Sequence, residues 1–400
     1  MHNKTIHVLM VACKFEAGGA PRSMMDMILN LQKNHNVKVT LAVSGDEKLA
    51  EWCRNQQINY IVCGHDIFAV AKENGIRATV KRFLKIPLVI IRNKNAVKTI
   101  ERQLDFNTID IIHTNSNRDN FGALLARRHN IPHVWHIREY GKQDYDVRFY
   151  FPFSIRFMNA TTKRFIAISN GVRQAWINRG IKESNISKIY NGINTDKIIS
   201  KQDYCRSKEN LKIIFTGSLF AFKGQLEFIN ALSILPSSVQ NIITVDLFYE
   251  GVDLKYQSML HYTIKKTKLK SQINFCGSTN DIGKILHNYD VGITCSKSEA
   301  FGRVTVEYMA AGLITIASNT GANPEIIEDR KNGFLYEYGN PESLSGILEK
   351  IYYMDENEKQ QIGRAAIERV EQNFTDKINA KNVYGLYLDV LKNRGRIDEA

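Results

Sequence analysis

Short β-branched runs alternate with helical patterns along this chain, and the alternation starts afresh near its middle. Ile6–Ala12 reads as a strand, Ala17–Pro21 as a glycine-bearing loop, Ser23–Leu31 as a helix and Val37–Val43 as the next strand. Strands follow at Ile109–His113, Val134–Ile137 and Phe165–Ile168, with a helix over Phe121–Arg128. A polar stretch, Asn191–Asn210, interrupts the series. It resumes with a strand at Ile213–Thr216, a loop at Gly217–Gly224 and a helix at Gln225–Leu235. Strands recur at Val245–Phe248, Ile273–Cys276, Val291–Cys295, Ile314–Ala317 and Phe334–Tyr336. Strands separated by helices pair in parallel, because only a crossover helix returns the chain to the same sheet edge. At 400 residues the chain is too long for one ordinary core. The expected fold class is α/β, with two Rossmann-like doubly wound domains facing a central cleft. The expected bounds are 1–190 and 211–375, joined by a linker at 191–210 and followed by a terminal segment, 376–400, with a helix over Asp376–Lys392. Ligand crevices in such sheets lie at the carboxyl ends of the strands, so a site is expected in that cleft.

The segment from Tyr289 to Asn332 carries the clearest chemistry. After the Val291–Cys295 strand, Ser296–Gly302 reads as a loop and Arg303–Ala311 as a helix stopped by Gly312. Glu299 then sits on the loop and Glu307 on the helix. The free N–H groups around Phe301, Gly302, Arg303 and Val304, with the positive end of the helix dipole, make an anion site. A carboxylate on that helix can accept hydrogen bonds from sugar hydroxyls of a ligand whose phosphates sit at the helix start.

The string Ser296, Glu299, Phe301, Gly302, Glu307, Met309, Ala310, Gly312 resembles the Glu-x7-Glu segment of the retaining glycosyltransferases of family four. Gly321, Pro324 and Glu325 match the family's next turn, and Asn332-Gly333 the Asn-Gly before the following strand. The resemblance covers nearly the whole chain and is looser in the N-terminal half. It implies the GT-B fold, with the last helix packing back on the N-terminal domain. That domain would bind acceptor, and the C-terminal one a nucleoside-diphosphate sugar, UDP-linked. Lys223, closing the glycine-bracketed loop that begins Gly217-Ser218, matches the family's diphosphate lysine. Ser218 stands where the family usually has arginine, and Arg303 is a candidate to compensate. Gly18 and Gly19 resemble the family's glycine loop, where the backbone approaches the ligand. His136 matches a histidine that contacts the donor sugar; His113, Arg138 and Glu139 are further candidates nearby. The implied catalytic set is His136, Glu299 and Lys223. The implied reaction transfers a hexose, with retention, to a glycan or lipid-linked oligosaccharide in bacterial cell-surface polysaccharide synthesis. The alternatives are a catalytically silent partner subunit, which Ser218 supports, and a nucleotide-sugar epimerase of the same fold.

Composition narrows the rest. No apolar run approaches the ~20 residues of a membrane span. The N-terminus reads straight into a strand with no leader pattern, and the six cysteines are scattered, which suits reduced thiols in a cytoplasm. Asp144-Tyr145-Asp146 lies in a basic, aromatic segment and reads as surface acids; no metal ligand set and no cofactor are expected. The net charge of +13 calls for an anionic partner, yet no nucleic-acid motif is present. Basic and apolar residues interleave over Arg77–Arg102 and Arg148–Arg164, which suits an anionic membrane surface. A peripheral position on the inner face of the cell membrane is the corresponding expectation.

Overall fold

A computed structural model describes residues 5–12, 19–45, 47–71, 76–141, 147–201, 210–269, 272–279 and 281–392. The chain divides into two compact units. One runs to Gly192 and takes up the chain again from Asp376; the other is Ile193–Thr375.

The strands of the first unit are β1 (Ile6–Ala12), β2 (Val37–Val43), β3 (Asn59–Val62), β4 (Ala69–Ala71), β5 (Ile111–Thr114), β6 (His133–Ile137), β7 (Val147–Phe149), β8 (Arg164–Ala167) and β9 (Ile186–Lys188). Seven form one parallel sheet in the order β3-β2-β1-β5-β6-β8-β9; β4 and β7 pair antiparallel beside it. The central strands are near-continuous apolar runs, as a sheet covered on both faces requires. The Asp376–Lys392 helix joins this core: Val383, Leu386 and Tyr387 cluster with Met24, Met27 and Leu31 of the Gly19–Asn34 helix. That latter helix begins four residues earlier than the pattern suggested. Pro21 explains the difference, since a first-turn proline lacks only an N–H that the helix leaves unused.

The second unit adds β10 (Leu211–Thr216), β11 (Ile243–Phe248), β12 (Ile273–Gly277), β13 (Val291–Thr294), β14 (Ile314–Ser318) and β15 (Phe334–Tyr336). All pair in parallel in the order β12-β11-β10-β13-β14-β15. The order reverses between β10 and β13, so the loops after Thr216 and Thr294 leave from neighbouring strand ends. A doubly wound sheet offers its ligand crevice at such a switch point. Part of the expected linker is built into this unit. Ile193 N donates to Phe374 O at 2.9 Å, and the buried Lys201 ammonium donates to Tyr289 O at 2.9 Å and to Asp290 at 2.5 Å. No helix among the described residues is long and apolar enough to cross a membrane.

Candidate active site

The site of the second unit is assembled from the loops at that switch point. After β10 the chain makes a tight turn at Ala221–Lys223 and passes Gly224 at φ 78°. A Cβ at Gly224 would lie 2.0 Å from the Cys295 carbonyl oxygen, so only glycine lets this loop close onto the end of β13. Lys297 N donates to Phe222 O at 2.8 Å and sews the two loops together. Gln225 donates from Nε2 to the carbonyls of Ser218 (3.0 Å) and Gly217 (3.3 Å), fixing the loop from below.

Lys223 and Glu299 meet here. The ammonium lies 2.6 Å from Glu299 Oε1, and the Ser296 hydroxyl donates to the same oxygen at 2.6 Å. The Glu299 backbone is gripped from behind. Gly321, at φ 59°, sits where a Cβ would be 2.3 Å from Glu299 O, and Ala322 N donates to that oxygen at 2.8 Å. Burial pushes the Glu299 carboxyl up. The Lys223 charge and the hydrogen bonds from Lys223 and Ser296 outweigh it and hold the group below the ordinary carboxylate range.

The Arg303–Ala310 helix follows, with Gly302 as its N-cap. Arg303 donates from Nε to Glu307 Oε1 at 2.8 Å, one turn on, and both side chains are largely buried. Arg303 thus holds Glu307. Phe301 is buried, edge-on to Phe374, and Val304 packs beneath the helix, so their side chains serve the core and their backbones the helix start. The sequence reading missed the supports: Gln225, and Tyr308, whose hydroxyl accepts from Thr216 N at 2.7 Å. Both lie in segments whose polar residues look like ordinary helix content.

His136 belongs to the first unit. It is fully buried, stacked on His113 with ring centroids 5.4 Å apart, and neither ring nitrogen has a hydrogen-bond partner among the described residues. Burial, with Arg138 and His113 nearby, pushes its pKa well below the ordinary imidazole value, so the ring is neutral. His113 bonds the Tyr387 hydroxyl. Arg138 is also buried, bonded through its guanidinium to Asn115 and Asn191. A direct sugar contact by His136 would require an exposure it lacks here. Gly19 is exposed in the first turn of its helix rather than in a loop; Gly18, Asp144 and Asp146 lie outside the described residues. Among the described residues no group of His, Cys, Asp and Glu is arranged to hold a metal, and Cys53, Cys63, Cys276 and Cys295 are free thiols.

Two parallel doubly wound units, with a lysine–glutamate pair and a helix start at the switch point of the second, define a GT-B glycosyltransferase. The sequence model described as "Glycosyltransferase Family 4" matches residues 17–197, and that described as "Glycosyl transferases group 1" matches residues 196–369. The chain belongs to this group 1/family 4 of glycosyltransferases. It is 25% identical over 285 residues to an uncharacterised glycosyltransferase of Methanocaldococcus jannaschii, covering 70% of this chain and 74% of that one. Among solved structures it resembles a glycosyltransferase from Rickettsia africae (TM-score 0.76, 22% identity, 98% of this chain and 100% of that one). It also resembles HepE of Anabaena, solved with UDP-glucose (TM-score 0.74, 21% identity, 95% of this chain and 99% of that one).

Proposed function

We propose that this glycosyltransferase moves a hexose, with retention of configuration, from a UDP-linked donor to a glycan or lipid-linked oligosaccharide of a cell-surface polysaccharide. The observation that carries the reading is the Lys223–Glu299 pair at the switch point, 2.6 Å apart and partly buried. In this reading the donor opens the pair. The Lys223 ammonium turns to the diphosphate and stabilises the charge that grows on it as the glycosidic bond breaks. The backbone N–H groups at the start of the Arg303–Ala310 helix take the remaining phosphate oxygens. Glu299, freed from Lys223, accepts hydroxyls of the transferred sugar. Glu307, oriented by Arg303, accepts the ribose hydroxyls. Ser218 and Gly217 line the diphosphate side. The acceptor hydroxyl attacks from the face the diphosphate leaves, and the leaving phosphate takes its proton.

The first unit is assigned the acceptor. His136, neutral and enclosed, acts there as a positioning residue beside Arg138 rather than as a group on the sugar. HepE with bound UDP and UDP-glucose supports the choice of base. The test is acceptor-dependent release of UDP from UDP-hexoses, using lipid-linked oligosaccharide as acceptor. Release only with acceptor supports the reading; no release with any UDP-hexose, while UDP still binds, supports a silent subunit.

A further inference from the structure

The first unit holds a groove of about 1340 Å³ that the donor chemistry does not use. It exceeds the ~300–1,000 Å³ typical of sites for compact ligands. Three helices wall it: Ile76–Glu101, Phe121–His129 and Ser154–Thr161. Ile90, Leu124, Phe153 and Phe157 give it an apolar lining. Lys94, Lys98, Arg127, Arg156 and Lys163 stand around it, all exposed, and none has an ion-pair partner among the described residues. Arg128 also lines it but is paired to Glu101 at 2.5 Å. Among the described residues no aspartate or glutamate lines the groove.

The groove continues onto open apolar surface. Val80, Leu84, Leu88 and Ile91 fall on one face of the Ile76–Glu101 helix and are 51%, 70%, 55% and 54% exposed; Ile91 also lines the groove. An apolar face of this extent on a folded chain marks an interaction site. Phe153 adds a second sign. It caps the Ser154–Thr161 helix at φ 63°, a conformation that bulky residues rarely adopt, and it holds a ring that is 74% exposed. The core gains nothing from that ring.

An apolar trough whose cations are unpaired and which holds no carboxylate among the described residues fits a ligand that is apolar along its length and anionic at one end. We propose that this groove takes the hydrocarbon chain of a single phosphorylated lipid, with the lipid phosphate on Lys98 and Arg156. The binding rests on the groove alone and does not require glycosyl transfer.

The test uses the full chain and hexadecyl phosphate carrying a diazirine near the chain end. Photolabelling below the micelle concentration should mark peptides of the three walls, and unlabelled hexadecyl phosphate should compete. Hexadecanol and inorganic phosphate should compete poorly. Lys98→Glu with Arg156→Glu should weaken labelling about tenfold or more, since each basic residue near an anionic headgroup contributes substantially. Phe153→Ser, at an exposed position, should weaken it with the thermal midpoint unchanged. UDP affinity of each variant is measured alongside and should not move, which separates loss of the groove from loss of the fold or of the donor site. Labelling spread over the surface, labelling unaffected by either variant, or binding only to phosphatidylglycerol vesicles with no capture of the monomer would each overturn the proposal. So would concentration-dependent self-association that buries the groove.

Discussion

Replacing Lys223 by methionine keeps the length of the side chain and removes its charge. In the free protein the ammonium is 2.6 Å from Glu299 Oε1, with the two side chains 25% and 19% exposed. A hydrogen bond to a charged group in such a setting contributes ~1.5–3 kcal/mol, so stability at neutral pH should fall by about that amount. Two forces act on the Glu299 carboxyl: burial raises its pKa, and Lys223 with Ser296 lowers it further than burial raises it. Without Lys223 the balance turns, and the pKa should rise. A carboxylate with a depressed pKa stabilises the fold above its unfolded value, and that contribution is lost as the pH falls through the folded pKa. Urea unfolding across pH 3–7 should therefore show an acid-side decline from Glu299 in the wild type that is lost or reversed in the variant, where protonating the buried, unpaired carboxyl favours the fold. If the same ammonium also meets the leaving diphosphate, turnover should drop ~10²–10³-fold, the usual loss for one charge-stabilising donor. Calorimetry with UDP and a coupled UDP-release assay read the two effects. A variant that loses stability but keeps wild-type UDP affinity and turnover would refute the reasoning, leaving Lys223 as a mere brace for Glu299.

Four further outcomes are expected. Glu307→Gln should weaken UDP binding by ~1–3 kcal/mol in calorimetry, because an amide is a poorer acceptor for ribose hydroxyls than a carboxylate. His136→Leu should leave UDP affinity within about twofold and shift stability by at most ~1–2 kcal/mol, since it removes two buried nitrogens that have no hydrogen-bond partner among the described residues; a tenfold loss of affinity would return His136 to the donor. Burial pushes His65 down, but the Asp119 carboxylate at 3.0 Å, with Cys63, outweighs it and raises the pKa to about 10. Its contribution to stability is therefore complete below the ordinary value near 6.5 and fades as the pH rises through about 10, by up to ~1.4 kcal/mol per unit; urea midpoints should decline over that window in the wild type and stay flat in His65→Gln. Activity should survive excess EDTA; loss restored by Mn²⁺ would bring Asp144 and Asp146 back as ligands.

The second unit was the more legible half. Its strands are apolar runs bounded by glycines, and Arg303–Ala310, Ile314–Ser318 and Phe334–Tyr336 lie within a residue of the sequence reading. Lys223 and Glu299, 76 positions apart, could be joined only through the family resemblance; no periodicity links two loops that meet across neighbouring strand ends. The Arg303–Glu307 pair was open to inference from i, i+4 spacing, but Arg303 was read as a candidate for the diphosphate and Glu307 for the sugar hydroxyls. In the first unit, β3 escaped notice because Asn59–Val62 is a four-residue edge strand with only one buried residue, too short for a clear alternation. The Ile76–Glu101 helix carries Pro87 inside it, which breaks the local pattern although the flanking turns keep the helix going. For His136 the sequence gives a strand-end position, and the packing that encloses the ring is not legible from it. The basic, apolar stretches were visible, but not that they wall a single groove.

The central claim is that the loops closing on β13 hold a nucleoside-diphosphate donor. A crystal structure of the chain with UDP-glucose tests it most directly. The account predicts the diphosphate within hydrogen-bond reach of the Lys223 ammonium and the backbone N–H groups of Arg303 and Val304, the ribose on Glu307, and the Lys223–Glu299 pair opened. Nucleotide bound elsewhere, or bound with Lys223 still closed on Glu299, would contradict it.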